Sequence, residues 1–478
     1  MGFHLPLPLH RRIFIWTVLL GLIAIGSQGC RLLSSNSKPK LLAPLPQDPL
    51  VQVYFNLNQA AEYREPYRKL KRTGDDLEQI LVKAISSATS TVDVAVQELR
   101  LPKIAAALVE RHSQGVRVRV IVENTYSRPW SDLTADEVGK LAGRELSGYQ
   151  EFLYLADSNG DGQLSQDEID SSDALVMLRK AEVPVLDDTA DGSKGSGIMH
   201  HKFVIIDGKT AIVTSANFTT SGIHGDFKSA ESMGNANNLI KIESPELATI
   251  FTEEFDILWG DGPGGKRDSK FGIQKPYRGM QQIQVGSGTI AVQFAATGRK
   301  VPWENSANGA IALFLARARQ SIDLALFVFS EQLLADELEN AHQRGVRVRS
   351  LIDPSFAYRS YSEALDMLGV ALADKRCRYE DGNRPWANPI ATVGVPQLPP
   401  GDKLHHKFAI LDSQVVIAGS LNWSKAANTQ NDETVLAIDN PTLAAHFVRE
   451  FERLYDTAQL GIPPHIDRKI KQQQKKCD

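Results

Sequence analysis

Two short runs of this chain carry the same chemistry-bearing side chains at the same spacing. The first is His200, Lys202 and Asp207, followed by Ser215 and Asn217. The second is His405, Lys407 and Asp412, followed by Ser420 and Asn422. Each reads H-x-K-x-x-x-x-D with an S-x-N element shortly after. Histidine and lysine two apart on a strand project from the same face. A neutral imidazole there can attack phosphorus, while a fixed ammonium neutralises the phosphoryl oxygens. Cutting a phosphodiester through a covalent intermediate needs two imidazoles. One is the nucleophile; the other protonates the leaving oxygen and then activates water. Two copies at one point supply both, with Lys, Ser and Asn groups holding the developing charge. Catalysis of this kind requires no metal.

The residues between these groups read differently. His201 and His406 fall on the opposite strand face, where packing or hydrogen bonding behind the site is expected. Asp207 and Asp412 stand at strand ends, where fixing the following turn suits them better than touching substrate.

The elements that position the two runs are themselves repeated. Thr91–Val96 (TVDVAV) matches Ser321–Leu326 (SIDLAL), and Gly115–Arg119 (GVRVR) matches Gly345–Arg349 without a gap. The segment from Ser244-Pro245 to Trp259 matches that from Asn440-Pro441 to Tyr455. One repeat reads as an amphipathic helix, a strand, a second helix closed by a glycine, a V-R-V-R strand, the signature strand, a turn and a further strand. Ser244 and Asn440 are N-caps followed by proline at the first helical position. Strands alternating with helices predict α/β lobes with helices on both faces of a mixed sheet.

One copy carries an addition. Residues 157–168, DSNGDGQLSQDE, follow the twelve-residue EF-hand pattern. Asp157, Asn159 and Asp161 are side-chain ligands, Gln163 offers a carbonyl, and Glu168 closes the loop bidentately. Helices are expected on both sides, from 150 to 156 and from 167 to 180. The stretch leading to the signature is about 25 residues longer in the first copy, so the loop reads as an insertion. A lone loop suits a structural Ca²⁺ rather than a cooperative switch.

The ends and the composition bound the setting. Of 478 residues, 42% are hydrophobic, enough for a sizeable core, and the net charge of −4 gives no bulk attraction to nucleic acid. His10-Arg11-Arg12 precedes an apolar run and Gly29-Cys30, the plan of an export signal over 1–30. A lipoprotein signal ending at Cys30, a cleaved signal and an uncleaved anchor all fit. Each places the mature chain outside the cytoplasm, and the lipoprotein and anchor readings also tie it to a membrane. Residues 31–49 read as a tether. Three cysteines, Cys30, Cys377 and Cys477, make neither a disulfide framework nor a zinc site. A Cys377–Cys477 bridge is compatible with export, but nothing in the spacing demands it.

With these motifs in place, the sequence resembles the phospholipase D superfamily of H-x-K-x-x-x-x-D phosphodiesterases over residues 50 to 460. The resemblance implies two α/β/α sandwich lobes with mixed sheets, related by a pseudo-two-fold axis. The first lobe spans 50–259 with the loop at 157–168; a linker occupies 260–288; the second lobe spans 289–460; and 461–478 is a basic, frayed tail. The site then lies between lobes of one chain, with no oligomer required and no catalytic cofactor. The resemblance implies catalytic roles for His200, Lys202, Asp207, His405, Lys407 and Asp412, with Ser215, Asn217, Ser420 and Asn422 on the substrate. It also implies an orienting acid, which Glu433 supplies in the second lobe. Asn237 stands at the matching place in the first. If Glu433 reaches across the interface, His200 is the nucleophile and His405 the general acid; a within-lobe pairing reverses the roles. Phospholipid is the expected substrate, at a membrane. Endonucleolytic cleavage of DNA and a catalytically inactive membrane-tethered binding protein are the alternatives. Residues 379 to 401, with Trp386, are expected to rim the site.

Overall fold

A computed structural model describes residues 41–190 and 195–477. The chain divides into residues 1–43, of which only 41–43 are described, and the compact body 44–478 treated below. The expected export signal and most of the expected tether lie outside the described residues.

The first lobe runs β1 (Val51–Phe55), α1 (Leu77–Ser86), β2 (Thr91–Val96), α2 (Pro102–Ser113) and β3 (Arg117–Val122). It continues with α3 (Gly143–Ala156), α4 (Gln166–Ser172), α5 (Ala174–Lys180), β4 (Val185–Asp187), β5 (Lys202–Ile206), β6 (Thr210–Thr214), β7 (Asn238–Glu243) and α6 (Pro245–Trp259). Its sheet has the order β1-β7-β6-β5-β2-β3-β4. The β2–β3 and β3–β4 pairs are parallel and the rest antiparallel.

The second lobe repeats this plan. It comprises β8 (Gln281–Val285), β9 (Gly288–Ala295), α7 (Ala307–Leu315), β10 (Ser321–Leu326), α8 (Gln332–Gln343), β11 (Arg347–Ile352) and α9 (Glu363–Met367). Then come β12 (Val393–Val395), β13 (Lys407–Leu411), β14 (Val415–Gly419), β15 (Glu433–Asp439), α10 (Pro441–Tyr455), β16 (Gln459–Leu460) and α11 (Pro464–Cys477). Its sheet order is β8-β9-β15-β14-β13-β10-β11-β12-β16. The seven-strand pattern of the first lobe is present here, with an extra strand at each edge. Both lobes are therefore mixed α/β sandwiches, as the repeat predicts.

The signature strands lie at the centre of their sheets and are apolar on both faces, as strands covered by helices on each side must be. Phe203 and Ile205 of β5 point into a core shared with Phe408 and Ile410 of β13, with Phe251 and Phe255 of α6, and with Phe447 and Phe451 of α10. Val204 and Ile206 point the other way, into the first lobe's own core, and Ala409 and Leu411 into the second's. The two α/β lobes thus meet through α6 and α10. Each of these helices starts as expected, at Ser244 accepting from Leu247 N and Asn440 accepting from Leu443 N.

The second arginine of each V-R-V-R strand serves this packing. Arg119 forms a two-pronged pair with Asp93 (2.7 and 2.8 Å), its guanidinium 4.6 Å from the Phe255 ring centre. Arg349 does the same with Asp323 (2.7 and 2.9 Å) and Phe451 (4.7 Å). These two arginines fasten helix to sheet and are not offered to a polyanion.

Three expected boundaries are corrected. Residues 281–285, expected in the linker, form an edge strand paired with β9. The end of the expected tether is bound: Pro46 O accepts from His446 Nε2 (2.9 Å) and Asp48 from Asn440 Nδ2 (3.0 Å), which straps it to α10. The expected frayed tail is helical from Pro464 to Cys477 and joined to Cys377 by a disulfide. Among the described residues no helix is long and apolar enough to cross a membrane.

Candidate active site

The lobes are bridged backbone to backbone where the chemistry sits. The segment entering β5 pairs with the segment entering β15, Met199 opposite Asp432, and that entering β13 pairs with that entering β7, Leu404 opposite Ala236. His200 N donates to Asp432 O (3.0 Å) and His405 N to Ala236 O (3.1 Å). Each catalytic candidate is therefore held by backbone of the other lobe.

The same crossing decides what stands behind each imidazole. His200 Nδ1 lies 2.7 Å from Glu433 Oε2, and His405 Nδ1 lies 3.0 Å from Asn237 Oδ1. When Glu433 is ionised its carboxylate only accepts, and His200 then carries its proton on Nδ1. Asn237 is oriented by its own donations to Gly222 O (2.8 Å) and Asn235 O (3.1 Å), which leaves Oδ1 to accept from His405. Both imidazoles thus keep Nε2 free for chemistry. The residues behind them differ by one charge.

Ser215 and Ser420 are fully buried and serve these two groups. Ser215 Oγ donates to Asn237 Oδ1 (2.7 Å) and Ser420 Oγ to Glu433 Oε2 (2.6 Å). They position the residues behind the histidines, which corrects the expected place on the substrate. Asn217 and Asn422 make no such bond; the buried side-chain oxygen of each has no partner and is an acceptor, so a hold on a phosphoryl oxygen falls to their Nδ2 groups.

Asp207 and Asp412 are not at the site. They follow β5 and β13 at the ends away from the histidines. The Asp207 carboxylate accepts from Thr89 N (2.9 Å), Ser90 N (2.7 Å) and Thr91 N (2.9 Å). Asp412 accepts from Arg319, Gln320 and Ser321 N (3.0, 2.7 and 2.9 Å). The frame shared by the two signatures is thus explained by a clasp on the turn entering the neighbouring strand. His201 and His406 lie behind the site, paired with Glu254 (3.2 Å) and Glu450 (2.9 Å).

Burial shapes the electrostatics. Both imidazoles are pulled well below their usual pKa by desolvation, helped by the Lys202 and Lys407 ammoniums. Burial lowers Lys202 to about 7 and Lys407 well below its usual range. It pushes Glu433 up to about 7, against the pull of Lys202. Such a site is short of negative charge, and a phosphodiester anion supplies it.

Other contributors carry no motif. Gln97, just past β2, takes Lys202 Nζ (3.4 Å) and Asn217 Nδ2 (3.2 Å) on its side-chain oxygen. Its counterpart Phe327 lies edge-on to His405 (4.9 Å) and under Lys407 Nζ (5.0 Å). Both directly follow repeated strands, which is the one signal that marks them. Beside His405 opens a cavity of about 720 Å³, whose lining includes Asn217, Phe327, Lys403 and Arg144. Its outer wall comes from residues 125–155. From the expected rim at 379–401 only Gly401 reaches it, because Trp386 is buried against the second lobe's core.

The loop of residues 157–168 joins α3 to α4, and Asp173 caps a separate α5, so the helix expected over 167–180 is broken. Gly162 takes the left-handed conformation (φ +76°) that the pattern assigns to it. The side chains of Asp157, Asn159 and Asp161 accept from the loop's own amides, and Glu168 from Ser158 and Ser165. The donor set fits a hard cation, held by Asp157, Asn159, Asp161, the Gln163 carbonyl and Glu168. Among the described residues one group of three metal-ligand side chains is gathered elsewhere, His201, Glu254 and Asp432. The Lys275 ammonium already bridges its two carboxylates (2.5 and 2.7 Å) and fills the role of a cation.

Comparison with known proteins agrees with this geometry. A family model described as cardiolipin synthase, PLD-like domain, matches residues 81–259 and 311–455. The chain therefore belongs to the phospholipase D superfamily of phosphodiesterases. It is 33% identical over 175 residues to the mitochondrial cardiolipin hydrolase of Xenopus tropicalis, covering 35% of this chain and 72% of that protein. It is 29% identical over 141 residues to the phospholipase D of Rickettsia felis, covering 30% of this chain and 60% of that one. Across eight of the curated relatives it matches, the chain spans from 48% to 72% of their length. The solved phosphatidylserine synthase of Haemophilus influenzae Rd KW20 shares the fold at a TM-score of 0.52 and 12% identity, over 88% of this chain and 90% of that one.

Proposed function

We propose that this chain hydrolyses phospholipid phosphodiester bonds through a phosphohistidine on His200. The observation that carries the assignment of roles is the unequal backing of the two imidazoles, Glu433 on one and Asn237 on the other. Attack by His200 Nε2 on phosphorus leaves the ring cationic, and the carboxylate behind Nδ1 stabilises that charge. The amide behind His405 gives its imidazolium no such help, so His405 is the stronger acid. For this it must first gain a proton on Nε2, which the bound phosphodiester anion favours; it then gives that proton to the leaving oxygen as the P–O bond breaks and is left neutral. As a neutral base it then takes a proton from water, which attacks phosphorus and breaks the P–N bond. Lys202, Lys407, Asn217 and Asn422 hold the phosphoryl oxygens.

The phospholipid reading is supported by the relatives' names, cardiolipin hydrolase and phospholipase D, and by the engagement of Arg119 and Arg349 in packing. With it goes an exported, membrane-associated setting, from the N-terminal sequence, and a structural Ca²⁺ on residues 157–168. The test is release of head group from labelled liposomes, with plasmid cleavage in parallel and EDTA in both. Liposome hydrolysis that His200→Asn and His405→Asn abolish is expected. Plasmid cleavage without lipid hydrolysis would make the chain an endonuclease; neither activity would make it a binding protein.

A further inference from the structure

Two buried carboxylates outside both signatures hold the segments on which the histidines stand. Asp353 Oδ2 accepts from Leu404 N (2.9 Å), the amide just before His405, and its Oδ1 accepts from Ser355 N (2.8 Å). Asp188 Oδ2 accepts from Met199 N (3.1 Å), the amide just before His200, and its Oδ1 accepts from Asn124 N (2.8 Å). Both residues are buried, Asp188 at 1% exposure and Asp353 at 0%.

The lobes make this contact from different places in the repeat. Asp353 directly follows β11, and its counterpart after β3 is Glu123. Glu123 keeps the local half of the pattern, accepting from Thr125 N (2.9 Å) as Asp353 accepts from Ser355 N. The half that reaches the histidine segment passes to Asp188, which directly follows β4. Strands β4 and β12 pair with β3 and β11 in the same register, which sets Pro396 at the place of Asp188. A feature merely carried along by duplication would stand at one repeat position. Here the position differs and the bond is the same, as expected when the bond itself is needed.

What the bond does follows from the strand. Consecutive amides of an extended segment point to opposite sides. In each lobe one amide is taken by the lobe's own carboxylate. The next, that of the histidine, is taken by backbone of the other lobe, at Asp432 O or Ala236 O. Held from both sides, the segment cannot slide or roll, and the imidazole has one place for Nε2. An ionised acceptor makes this hold stronger than a neutral one would. Burial pushes Asp188 up to about 7, so the fold keeps a carboxylate here against its solvation.

We propose that Asp188 and Asp353 are positioning residues, one for each histidine. Asp188 places His200 through Met199, and Asp353 places His405 through Leu404. This rests on the assignment of His200 as nucleophile, which makes the two carboxylates act on different steps.

The test is rapid-quench kinetics with a p-nitrophenyl phosphodiester at about pH 8, where Asp188 is ionised. Asp188→Ala and Asp353→Ala each remove both acceptors, and Glu123→Ala removes the repeat counterpart. In the first step His200 Nε2 attacks phosphorus, and the P–O bond breaks to release p-nitrophenolate, which needs no proton. In the second, water gives a proton to His405 and attacks phosphorus, and the P–N bond breaks. A misplacement of about 1 Å costs about a hundredfold in such a step. The ratio of the first rate constant to the second should therefore fall at least about tenfold in Asp188→Ala and rise at least about tenfold in Asp353→Ala. In Glu123→Ala it should stay within about twofold of wild type. Asp353 also counters the lowering of Lys407 by burial. Lys407 faces the phosphoryl oxygens in both steps, so that effect cancels in the ratio. Rate constants come from the chains that react, so unfolded protein lowers the amplitude and leaves the ratio. An unchanged ratio in both aspartate variants, or an equal change in Glu123→Ala, overturns the proposal. Opposite changes with the signs exchanged keep both residues as positioning groups and overturn only the assignment of His200 as nucleophile.

Discussion

Replacing Glu433 with glutamine separates catalysis from stability. The carboxylate accepts from His200 Nδ1 (2.7 Å) and Ser420 Oγ (2.6 Å) on one oxygen and from Asn431 Nδ2 (3.2 Å) on the other. Glutamine must set an NH₂ group against one of these donors. If it faces His200, the imidazole proton moves to Nε2 and the nucleophilic lone pair is lost. Even in the other orientation the charge that stabilises the phosphohistidine is gone. The comparable loss of a carboxylate behind a catalytic histidine in serine proteases costs about 10⁴ in kcat, so a fall of about 10³–10⁴ is expected. Stability should respond differently. Burial raises Glu433 from 4.5 to about 7, so ionising it opposes folding by about 3 kcal/mol. With the folded pKa the higher one, this group's contribution is fully present below about pH 4.5 and is lost as pH rises to about 7. Glutamine has no such dependence. The donor conflict costs about 1–3 kcal/mol at every pH. The variant should therefore melt below wild type at pH 4.5 and close the gap by pH 7.5. Rate profiles on a soluble p-nitrophenyl phosphodiester give the second readout: the wild-type acid limb near pH 7 should vanish in the variant. Retention of more than about a tenth of wild-type kcat, or an unchanged acid limb, would refute the reasoning.

Other outcomes follow from the same geometry. With a p-nitrophenyl phosphodiester, whose leaving group needs no proton, His405→Asn should accumulate a phosphoenzyme labelled on His200, detectable by acid-labile ³²P or mass spectrometry; label on His405 in His200→Asn would reverse the roles. Asp207→Ala removes the charged acceptor for three backbone amides and should lose about 2–4 kcal/mol in urea titration. Its kcat/KM should stay within about threefold, and a thousandfold loss would return Asp207 to the catalytic set. Millimolar Ca²⁺ should raise the melting temperature of wild type and not of Glu168→Gln, with calorimetry showing one site; an absence of binding would remove calcium from the account.

The repeat was the most legible part of the sequence. Strand alternation and matching flanks announced two similar α/β lobes, and the histidines and lysines could be named from spacing alone. What escaped was set by three-dimensional partners. Ser215 and Ser420 read as substrate contacts, but their hydroxyls turn inward to Asn237 and Glu433, a choice no spacing encodes. The aspartates that complete each signature proved to be clasps on a distant turn. Gln97 and Phe327 carry no motif because their importance comes from standing at the end of a central strand beside the lysines. Trp386 looked like a rim residue because proline-rich segments often are, yet its ring is buried beside His342, 5.8 Å away and nearly parallel.

The crossed bridges between the lobes have a consequence for how the molecule comes into being. When the first lobe emerges during synthesis, the segment bearing His200 lacks Asp432, and the carboxylate behind its imidazole lies more than 230 residues downstream. The segment bearing His405 in turn closes on Ala236, so neither half is complete without the other. A nascent or truncated chain can therefore assemble most of a hydrophobic core and still be inert. Both crossings must close before the two histidines have their partners. For a phosphodiesterase, that dependence ties the assembled site to the completed fold.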